Sequence, residues 1–341
     1  MPHRIFAATL TYDEASRKYC DYRRLRIHSN LPVYLNHKRR GGAVGINNND
    51  LALMIGLRSQ GYIANGASIV EIGAQQLSGD ILRSPESLVA IARAFEVEPR
   101  SFGSAKPALT GQSGEETLDP NAPFARDFWE WLGFSYAAID IDGSPGSIPL
   151  DLNFDSTPPN MFGKFNVVTN CGTTEHIANQ LNAFKVIHEL CALGGVMIHN
   201  LPAQGMMNHG LINYNPKFFW MLARSNGYKW LHADLLMSTV PHPLPADVVG
   251  EMQKFSSEFT QRAEDYRLYS GGLLVALQKE VDIPYVPPID VPTGAAVDNP
   301  ELKKRYWTVF DESRFHRMIV ENTSKQKRAR SWARRLLSRI R

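Results

Sequence analysis

Residues able to contact a polar ligand lie at, or directly after, the ends of four short apolar runs of this sequence. In chain order they are Glu71, Gly73 and Ala74, then Asp140, then Asp151 and Leu152, and finally Asn170 and Gly172. If the runs are parallel strands, their carboxyl ends share one edge of a sheet, and ligands bind at that edge. A glycine there lets the backbone approach a ligand closely, because it has no side chain. The pattern therefore predicts a ligand crevice.

Three histidines follow the fourth and fifth apolar runs and are the candidates for proton transfer. Imidazole titrates near pH 7, which makes it the simplest general base at that pH. We rank His209 first because its loop, 205–210, is polar and flanked by glycines. His176 and His199 come after it as alternatives.

Three further residues are candidates for substrate contacts, namely Glu175, Asn213 and Tyr214. For Tyr214, packing into a core with the aromatic residues of 218–220 is an equally good interpretation. Glu175 could also form a metal site with its neighbour His176. A metal site needs several ligands, and the pair Glu175-His176 supplies only two. We therefore predict no metal.

The elements that position these residues alternate apolar runs with helical patterns. The runs cover 68–73, 136–141, 148–152, 165–170 and 196–198. Apolar residues of 177–191 keep a three-to-four spacing, which predicts a helix that ends at Gly194 and Gly195. Continuous apolar strands alternating with helices are typical of a parallel sheet covered on both faces. Two last runs, 228–231 and 273–277, flank a predicted polar helix over 246–269 and are expected to form an antiparallel edge pair.

The composition is that of an ordinary folded protein. Of 341 residues, 43% are hydrophobic and 21% charged, which excludes a largely disordered, collagen-like or coiled-coil chain. Three cysteines far apart in the chain argue against a disulfide framework and for a reducing compartment. No apolar run approaches the roughly 18 residues that a membrane span needs. A soluble, cytoplasmic protein is expected.

Four parts of the chain are predicted from shifts in composition. Residues 1–44 form a basic N-terminal extension, and residues 45–283 form the main folded domain, with an insertion at 80–135. A proline-rich extended segment follows over 284–324, and the chain closes with a basic tail, 325–341.

The positive charge concentrates in that tail. The whole chain has a formal net charge of +3, yet residues 325–341 carry eight Lys or Arg and no acid. Four apolar residues of the tail recur at helical spacing, which predicts a basic amphipathic helix. Such a helix can dock on its own domain or lie on an anionic membrane surface, and both interpretations stay open. The basic stretch 17–40 lacks the pattern of an RNA-recognition module, so no nucleic-acid partner is expected.

Five motifs mark the strand ends. They are Val70-Glu71-Ile72-Gly73, Ala138-Ile139-Asp140, Leu150-Asp151-Leu152, the run 165–170 and the run 194–198. Together they resemble the class I S-adenosylmethionine-dependent methyltransferases over roughly residues 45–280. More narrowly, Thr173-Thr174-Glu175-His176 and the segment 209–214 resemble methyltransferase-like proteins associated with polysaccharide and glycan loci. The resemblance implies an α/β fold with a Rossmann-like, mostly parallel sheet, helices on both faces and an antiparallel closing strand pair. It also implies S-adenosyl-L-methionine as cofactor.

The resemblance assigns the methionine end of the cofactor to two loops. Gly73 and Ala74 form the first loop, which Glu71 steadies. Asn170 and Gly172 contact the amino-acid portion through their backbone groups.

The adenosine end is assigned to the second and third strand ends. Asp140 accepts hydrogen bonds from both ribose hydroxyls, and Asp142 is the alternative for this role. Asp151 lies near the adenine amine, and Leu152 offers its backbone amide.

The function that the resemblance implies is transfer of a methyl group to a small-molecule or glycan acceptor. A nicotinamide-dependent oxidoreductase is the alternative enzyme, since it also uses a parallel sheet with an acid after the second strand. The lack of a Gly-x-Gly-x-x-Gly turn after the first run favours the methyltransferase. A third interpretation is a non-catalytic, cofactor-binding interaction subunit anchored by the basic tail.

Overall fold

The computed structural model of this chain describes residues 45–103, 122–144, 146–207, 209–238, 241–243, 249–250, 254, 267–290 and 299–306. The predicted basic extension 1–44 and the predicted tail helix of 325–341 lie outside these residues. Within the described ranges, no helix combines the length and the apolar character needed to cross a membrane.

Helices and strands alternate along the described chain. The α-helices are α1 (Asn48–Ser59), α2 (Gly79–Leu82), α3 (Pro85–Phe95), α4 (Ala125–Trp131), α5 (Gln180–Leu190), α6 (Pro216–Asn226) and α7 (Pro300–Tyr306). The strands are β1 (Ser68–Ile72), β2 (Ser135–Ile139), β3 (Ser147–Ile148), β4 (Phe165–Cys171), β5 (Cys191–Gln204), β6 (Lys229–Met237), β7 (His242–Pro243), β8 (Arg267–Leu268) and β9 (Gly271–Gln278). Short 3-10 turns cover Pro159–Met161 and Thr174–His176.

Seven of the strands form one mostly parallel sheet in the order β3-β2-β1-β4-β5-β9-β6. Strands β3, β2, β1, β4 and β5 pair in parallel, whereas β9 runs antiparallel to both β5 and β6. The predicted α/β fold with its antiparallel closing pair is therefore confirmed. The chain leaves β1 toward β2 on one side and returns to β4 on the other, so the strand order reverses between β1 and β4. Ligands of open α/β sheets bind at such a switch point.

Both faces of the sheet are covered, because successive residues of its strands point to opposite sides. Ile69 and Val167 pack with Leu51, Ile91 and other apolar residues of α1, α3 and α4. Their neighbours in the strands pack on the other face against α5 and α6, for example Val70 against the core that contains Phe184. Continuous apolar strands are expected for this reason, and the two cores fix the sheet between two layers of helices.

Helix α1 begins at the carboxyl edge of the sheet. Asn47 caps it by accepting a hydrogen bond from Asn49 N, and the backbone N–H of Asn47 donates to Asp50 Oδ2 at 2.9 Å. The other oxygen of Asp50 accepts a hydrogen bond from Asn200 Nδ2 at 2.9 Å. Asn200 lies in β5, where it pairs with Cys171, the last residue of β4. Burial raises the pKa of Asp50 to about 7. The start of α1 is thereby anchored beside the strand ends that carry the predicted site.

Two predicted boundaries need correction. The helix after β4 ends at Leu190, and not at Gly194 and Gly195, because Cys191 is already extended and pairs with Phe165. The glycines instead lie in β5, where Gly194 has a φ of +80° and donates its N–H to Lys279 O at 2.7 Å. The predicted polar helix cannot run to residue 269, because Arg267–Leu268 is a strand paired with β7.

The segment predicted as an insertion, 80–135, contains helices that lie between β1 and β2 in the chain. Helices α3 and α4 connect β1 to the parallel strand β2, and both contribute to the core on one face. Parallel neighbours require a crossover of this kind. The segment is therefore part of the sheet's own framework. The predicted third strand, 148–152, shortens to Ser147–Ile148, followed by a turn.

Candidate functional site

The loop after β1 turns sharply at Gly73. This residue has a φ of +79°, and its N–H donates to Ile139 O at 2.8 Å, at the end of β2. A Cβ at this position would lie 2.2 Å from Thr173 Oγ1, on the loop after β4. The loops after β1 and β4 therefore meet at a point where only glycine fits, directly at the reversal of strand order.

Two carboxylates hold the backbone of this loop. Asp140 Oδ2 accepts a hydrogen bond from Ala74 N at 2.8 Å, and Glu71 Oε2 accepts one from Gln75 N at 3.0 Å. The side chain of Gln75 spans to the second loop, since its Nε2 donates to Thr173 Oγ1 at 3.3 Å. The loop is thus held from the ends of β1, β2 and β4.

Glu71 is fully buried beneath the loop. Besides Gln75 N, its carboxylate accepts hydrogen bonds from Trp129 Nε1 at 2.7 Å and from Tyr136 OH at 2.8 Å. Burial raises the pKa of Glu71 to about 7, although the three donors lower it, and burial next to Glu71 raises the pKa of Tyr136. Glu71 acts on the loop from below, which agrees with a steadying role and leaves it no direct access to a ligand.

Asp140 and Asp142 lie in the loop after β2. Both oxygens of the Asp140 carboxylate accept backbone hydrogen bonds, because Oδ1 also accepts one from Asp142 N at 3.2 Å. Asp142 is exposed and turned toward Ser144, whose N–H and hydroxyl donate to Asp142 Oδ1, and these bonds lower the pKa of Asp142. Asp140 is half-buried and joined to the glycine loop. Of the two acids, Asp140 is the one that contacts the glycine loop.

The third strand end forms a tight turn. Asp151 N donates to Asp155 Oδ2 at 2.8 Å, and Asp151 Oδ1 accepts from Asn153 N at 2.8 Å. The side chain of Leu152 is buried in the core, and its carbonyl accepts from Asn182 Nδ2 at 2.9 Å. Asp151 remains half-exposed at the rim.

Asn170 and Gly172 shape the loop after β4. The side chain of Asn170 is fully buried and holds Thr174, donating to its Oγ1 at 2.8 Å and accepting from its N–H at 3.2 Å. Gly172 has a φ of +77°, and its N–H donates to Asn200 O at 3.0 Å. The backbone of this loop is left to meet a ligand, while the Asn170 side chain is committed to the fold.

Two predicted site residues lie in the core, which corrects their assignment. His199 is buried against Phe184 and Phe219, and burial lowers its pKa to about 3. A base needs access to its substrate, so His199 does not serve as one here. Tyr214 is buried in the same aromatic group, with its hydroxyl bonded to Gln180 Oε1 at 2.6 Å. The packing interpretation of Tyr214 is the correct one, and substrate contact by its side chain is excluded in this structure.

The other two histidines meet Glu175 at the crevice. His209 Nε2 lies 3.1 Å from Glu175 Oε1, and His176 Nε2 lies 3.9 Å from the same oxygen. The two imidazole rings are 5.5 Å apart between centroids. Glu175 is fully buried, His209 is 15% exposed and His176 is 50% exposed. Both rings are accessible to solvent, and Glu175 is within hydrogen-bond distance of the His209 ring only.

The backbone of Glu175 holds the loop that carries His209. Glu175 O accepts hydrogen bonds from Leu211 N at 2.8 Å and from Ile212 N at 3.1 Å. Gly210 packs so closely that a Cβ there would lie 2.9 Å from Glu175 Cγ. Asn213 follows on the exposed side of this loop. The approach of His209 to Glu175 is therefore built into the backbone.

The prediction of no metal assumed that only two ligands are available, and the structure brings a third beside them. Sequence reasoning counts Glu175 and His176, while the fold adds His209 from 34 positions along the chain. It also misses Thr173, which faces Gly73, and the anchor between Asp50 and Asn200. Only a buried acid in the first turn of a capped helix hints at Asp50, and no sequence signal pairs it with Asn200.

The arrangement of Gly73 and Asp140 bears on whether these strand ends can hold an elongated polar cofactor. At Gly73 the loops after β1 and β4 pack directly on each other, because a Cβ there would collide with Thr173, and the half-buried Asp140 holds the next residue of the same loop. Close backbone approach followed by a carboxylate at the second strand is an arrangement suited to a nucleoside-containing molecule.

Comparisons with known proteins find only distant structural similarity. No family model and no curated protein matches the chain. Among solved structures, a candidate methyltransferase from Bacillus halodurans C-125 matches with a TM-score of 0.38 and 9% identity, covering 68% of this chain and 100% of that one. An S-adenosylmethionine-dependent methyltransferase from Mesorhizobium loti matches with a TM-score of 0.30 and 11% identity, covering 68% and 97%. The 1,6-didemethyltoxoflavin-N1-methyltransferase of Burkholderia thailandensis matches with a TM-score of 0.34 and 11% identity, covering 69% and 78%. Identities and TM-scores this low do not establish an activity for this chain.

Proposed function

We propose that this chain is an S-adenosylmethionine-dependent methyltransferase. The observation that carries the proposal is the contact of Gly73 with Thr173 at the reversal of strand order, with Asp140 bound to the same loop. These residues come from the ends of β1, β4 and β2 and leave backbone groups and one carboxylate facing the crevice.

Each residue has a separate task in binding the cofactor. Gly73 and Gly172 let the backbone approach its amino-acid portion, and Asp140 accepts hydrogen bonds from its ribose hydroxyls. Glu71 keeps the glycine loop in place through Gln75 N. The cofactor supplies an activated methyl group, so the protein's main work is alignment of the acceptor and removal of its proton.

The acceptor end of the site is the cluster of Glu175, His176 and His209. It borders the cofactor loops, since a Cβ at Gly172 would lie 3.6 Å from Glu175 Oε1. In the metal-free protein, we propose that His209 takes the acceptor's proton, and the support for this role is the contact of 3.1 Å between its Nε2 and Glu175 Oε1. The exposed Asn213 lies on the same loop and is a rim contact. We propose a small-molecule or glycan acceptor.

The proposal also covers the location of the protein in the cell, through its basic tail. A cytoplasmic protein whose basic tail, 325–341, contacts anionic membrane remains our hypothesis for the C-terminus. Loss of anionic-liposome binding at low salt on removal of the tail would support that hypothesis, because screening weakens such contacts as ionic strength rises.

Calorimetry on the full chain tests the cofactor directly. S-adenosylhomocysteine is expected to bind, and NADH is expected not to bind. Binding of NADH alone would instead support the oxidoreductase. Binding of neither would support a non-catalytic interaction subunit. The close contact between the two loops at Gly73 and Thr173 is compatible with that outcome.

Asp140→Asn is expected to weaken binding of S-adenosylhomocysteine at least about tenfold, because a charge-assisted acceptor contributes roughly 1.5–3 kcal/mol. Part of this loss comes from the weakened hold on Ala74 N. The matched control is Asp142→Asn, whose side chain is exposed and turned to Ser144. A larger loss in the Asp142 variant than in the Asp140 variant would move the ribose site to Asp142.

A further inference from the structure

Three ligand atoms converge at the acceptor end of the site. The carboxylate of Glu175 and one ring nitrogen each of His176 and His209 all lie within 4.8 Å of one another. Around a tetrahedral zinc ion with bonds of about 2.1 Å, ligand atoms are about 3.4 Å apart. The observed 3.1 Å and 3.9 Å from Glu175 Oε1 to the two rings bracket that spacing. One small cation fits among these atoms after a small adjustment of the half-exposed His176.

The second oxygen of Glu175 is an independent observation. Glu175 Oε2 is buried and has no hydrogen-bond partner among the described residues. The two histidines approach the other oxygen of this carboxylate, Oε1, at 3.1 Å and 3.9 Å. A buried carboxylate oxygen without a donor is costly, and a bound cation removes that cost. The fold thus keeps an acidic group with spare ligand capacity at the centre of the cluster.

The positions of the three ligands are supported by the backbone. Glu175 and His176 belong to the turn Thr174–His176, which Asn170 holds through Thr174. His209 is brought in by the hydrogen bonds from residues 211 and 212 to Glu175 O. Preorganised ligands lower the entropy lost on binding an ion.

We propose that Glu175, His176 and His209 bind one divalent transition-metal ion, with an open position for an oxygen of the methyl acceptor. Two imidazoles and one carboxylate suit Zn²⁺ and its first-row neighbours, and a site with three protein ligands keeps a position free for substrate. This inference deepens the proposed function and rests on it for the role of the acceptor.

The ion gives the acceptor a defined chemical class. A hydroxyl oxygen that binds a divalent cation has a lowered pKa, so its O–H bond breaks near neutral pH. The proton passes to water and the electron pair stays on the oxygen, which becomes the nucleophile. In the metal-bound protein, His209 is a ligand, and the acceptor is a hydroxyl-bearing molecule.

Zinc binding to the full, tag-free chain tests the proposal without any acceptor. The protein is stripped with a chelator and titrated with Zn²⁺ by calorimetry, and Co²⁺ is added separately to record its visible absorption. We expect one equivalent of Zn²⁺ and a Co²⁺ spectrum of low coordination number. His176→Ala and His209→Gln should each weaken Zn²⁺ binding by roughly 10–100-fold or more, the loss seen even for outer partners of metal ligands. His232→Ala, on the edge strand β6, is the matched control and should leave this equivalent unchanged.

The variants are chosen so that folding does not obscure the result. His176 is half-exposed, so its removal should leave the unfolding transition unchanged. If both cluster variants bind Zn²⁺ as the unaltered chain does, or if His232→Ala loses the equivalent, the metal site is refuted.

Binding of S-adenosylhomocysteine in the presence of chelator separates this inference from the proposed function. Retained binding with no zinc equivalent would refute the metal alone and leave the methyltransferase. A zinc equivalent that depends on His176 and His209, without S-adenosylhomocysteine binding, would keep the metal site and refute the cofactor.

Discussion

Gly73→Val is expected to abolish binding of S-adenosylhomocysteine, with a fall in affinity of about 100-fold or more, or about 2.8 kcal/mol. Valine must adopt a φ of +79° and place its Cβ 2.2 Å from Thr173 Oγ1. The loops after β1 and β4 must then separate, which displaces the backbone groups that we propose contact the cofactor. Calorimetry with the purified variant measures the loss.

Backbone strain alone must be separated from this steric effect. Gly66 has a φ of +68°, and a Cβ added there would meet no atom within 4 Å, so Gly66→Ala carries the strain without the collision. A left-handed non-glycine residue costs roughly 1–3 kcal/mol of stability. Gly66→Ala should therefore lower the melting temperature and keep the affinity. If Gly73→Val bound S-adenosylhomocysteine with the affinity of the unaltered chain, the loop at Gly73 would not be part of the cofactor site.

Of the substitutions proposed, Glu71→Ala is expected to lower the free energy of unfolding most, by about 3 kcal/mol or more. Buried donors left without an acceptor cost roughly 1–3 kcal/mol each. The donors are Gln75 N, Trp129 Nε1 and Tyr136 OH. Urea unfolding measures the change. Glu71→Gln keeps one acceptor oxygen and nearly the same volume, so it should lose less. A loss below about 1 kcal/mol in Glu71→Ala would contradict the buried network, since a single unsatisfied donor already costs that much.

The same residue predicts a pH dependence. Burial raises the pKa of Glu71 to about 7, from an ordinary value of 4.5. Between these pH values the folded chain keeps a proton that the unfolded chain has released, so the free energy of unfolding falls as the pH rises. The difference between the two pKa values corresponds to on the order of 3 kcal/mol.

Glu71→Gln has no proton to release at this position, so its stability should depend less on pH between 4.5 and 7. Some dependence in the same direction remains, because burial also raises the pKa of Asp50 to about 7. Unfolding midpoints recorded across this range test the difference. An identical slope in both proteins would show that Glu71 is ionised throughout.

Local patterns were sufficient for the sheet. The runs at 68–73, 136–141 and 165–170 are strands because continuous apolar residues can be buried only when both faces of a strand are covered. Once the strands are parallel, their ends must share an edge, so the grouping of Glu71, Gly73 and Asp140 also followed from the sequence. Periodicity did less well at boundaries, as Gly194 shows, because pairing of Cys191 with Phe165 competes with continuation of the helix.

Sequence alone determined that this is an α/β chain with polar residues grouped at the ends of β1, β2 and β4, since hydrophobic periodicity and the residues at strand ends are local properties of the sequence. It ranked His209, His176 and His199 by loop position, and it had no means of telling a core histidine from a site histidine. Only the tertiary structure decided that His199 packs against Phe219 while His209 reaches Glu175. The physical reason is that contacts across 34 residues depend on how β5 and the loop after it pack against the loop after β4, and spacing along the chain carries no record of that packing.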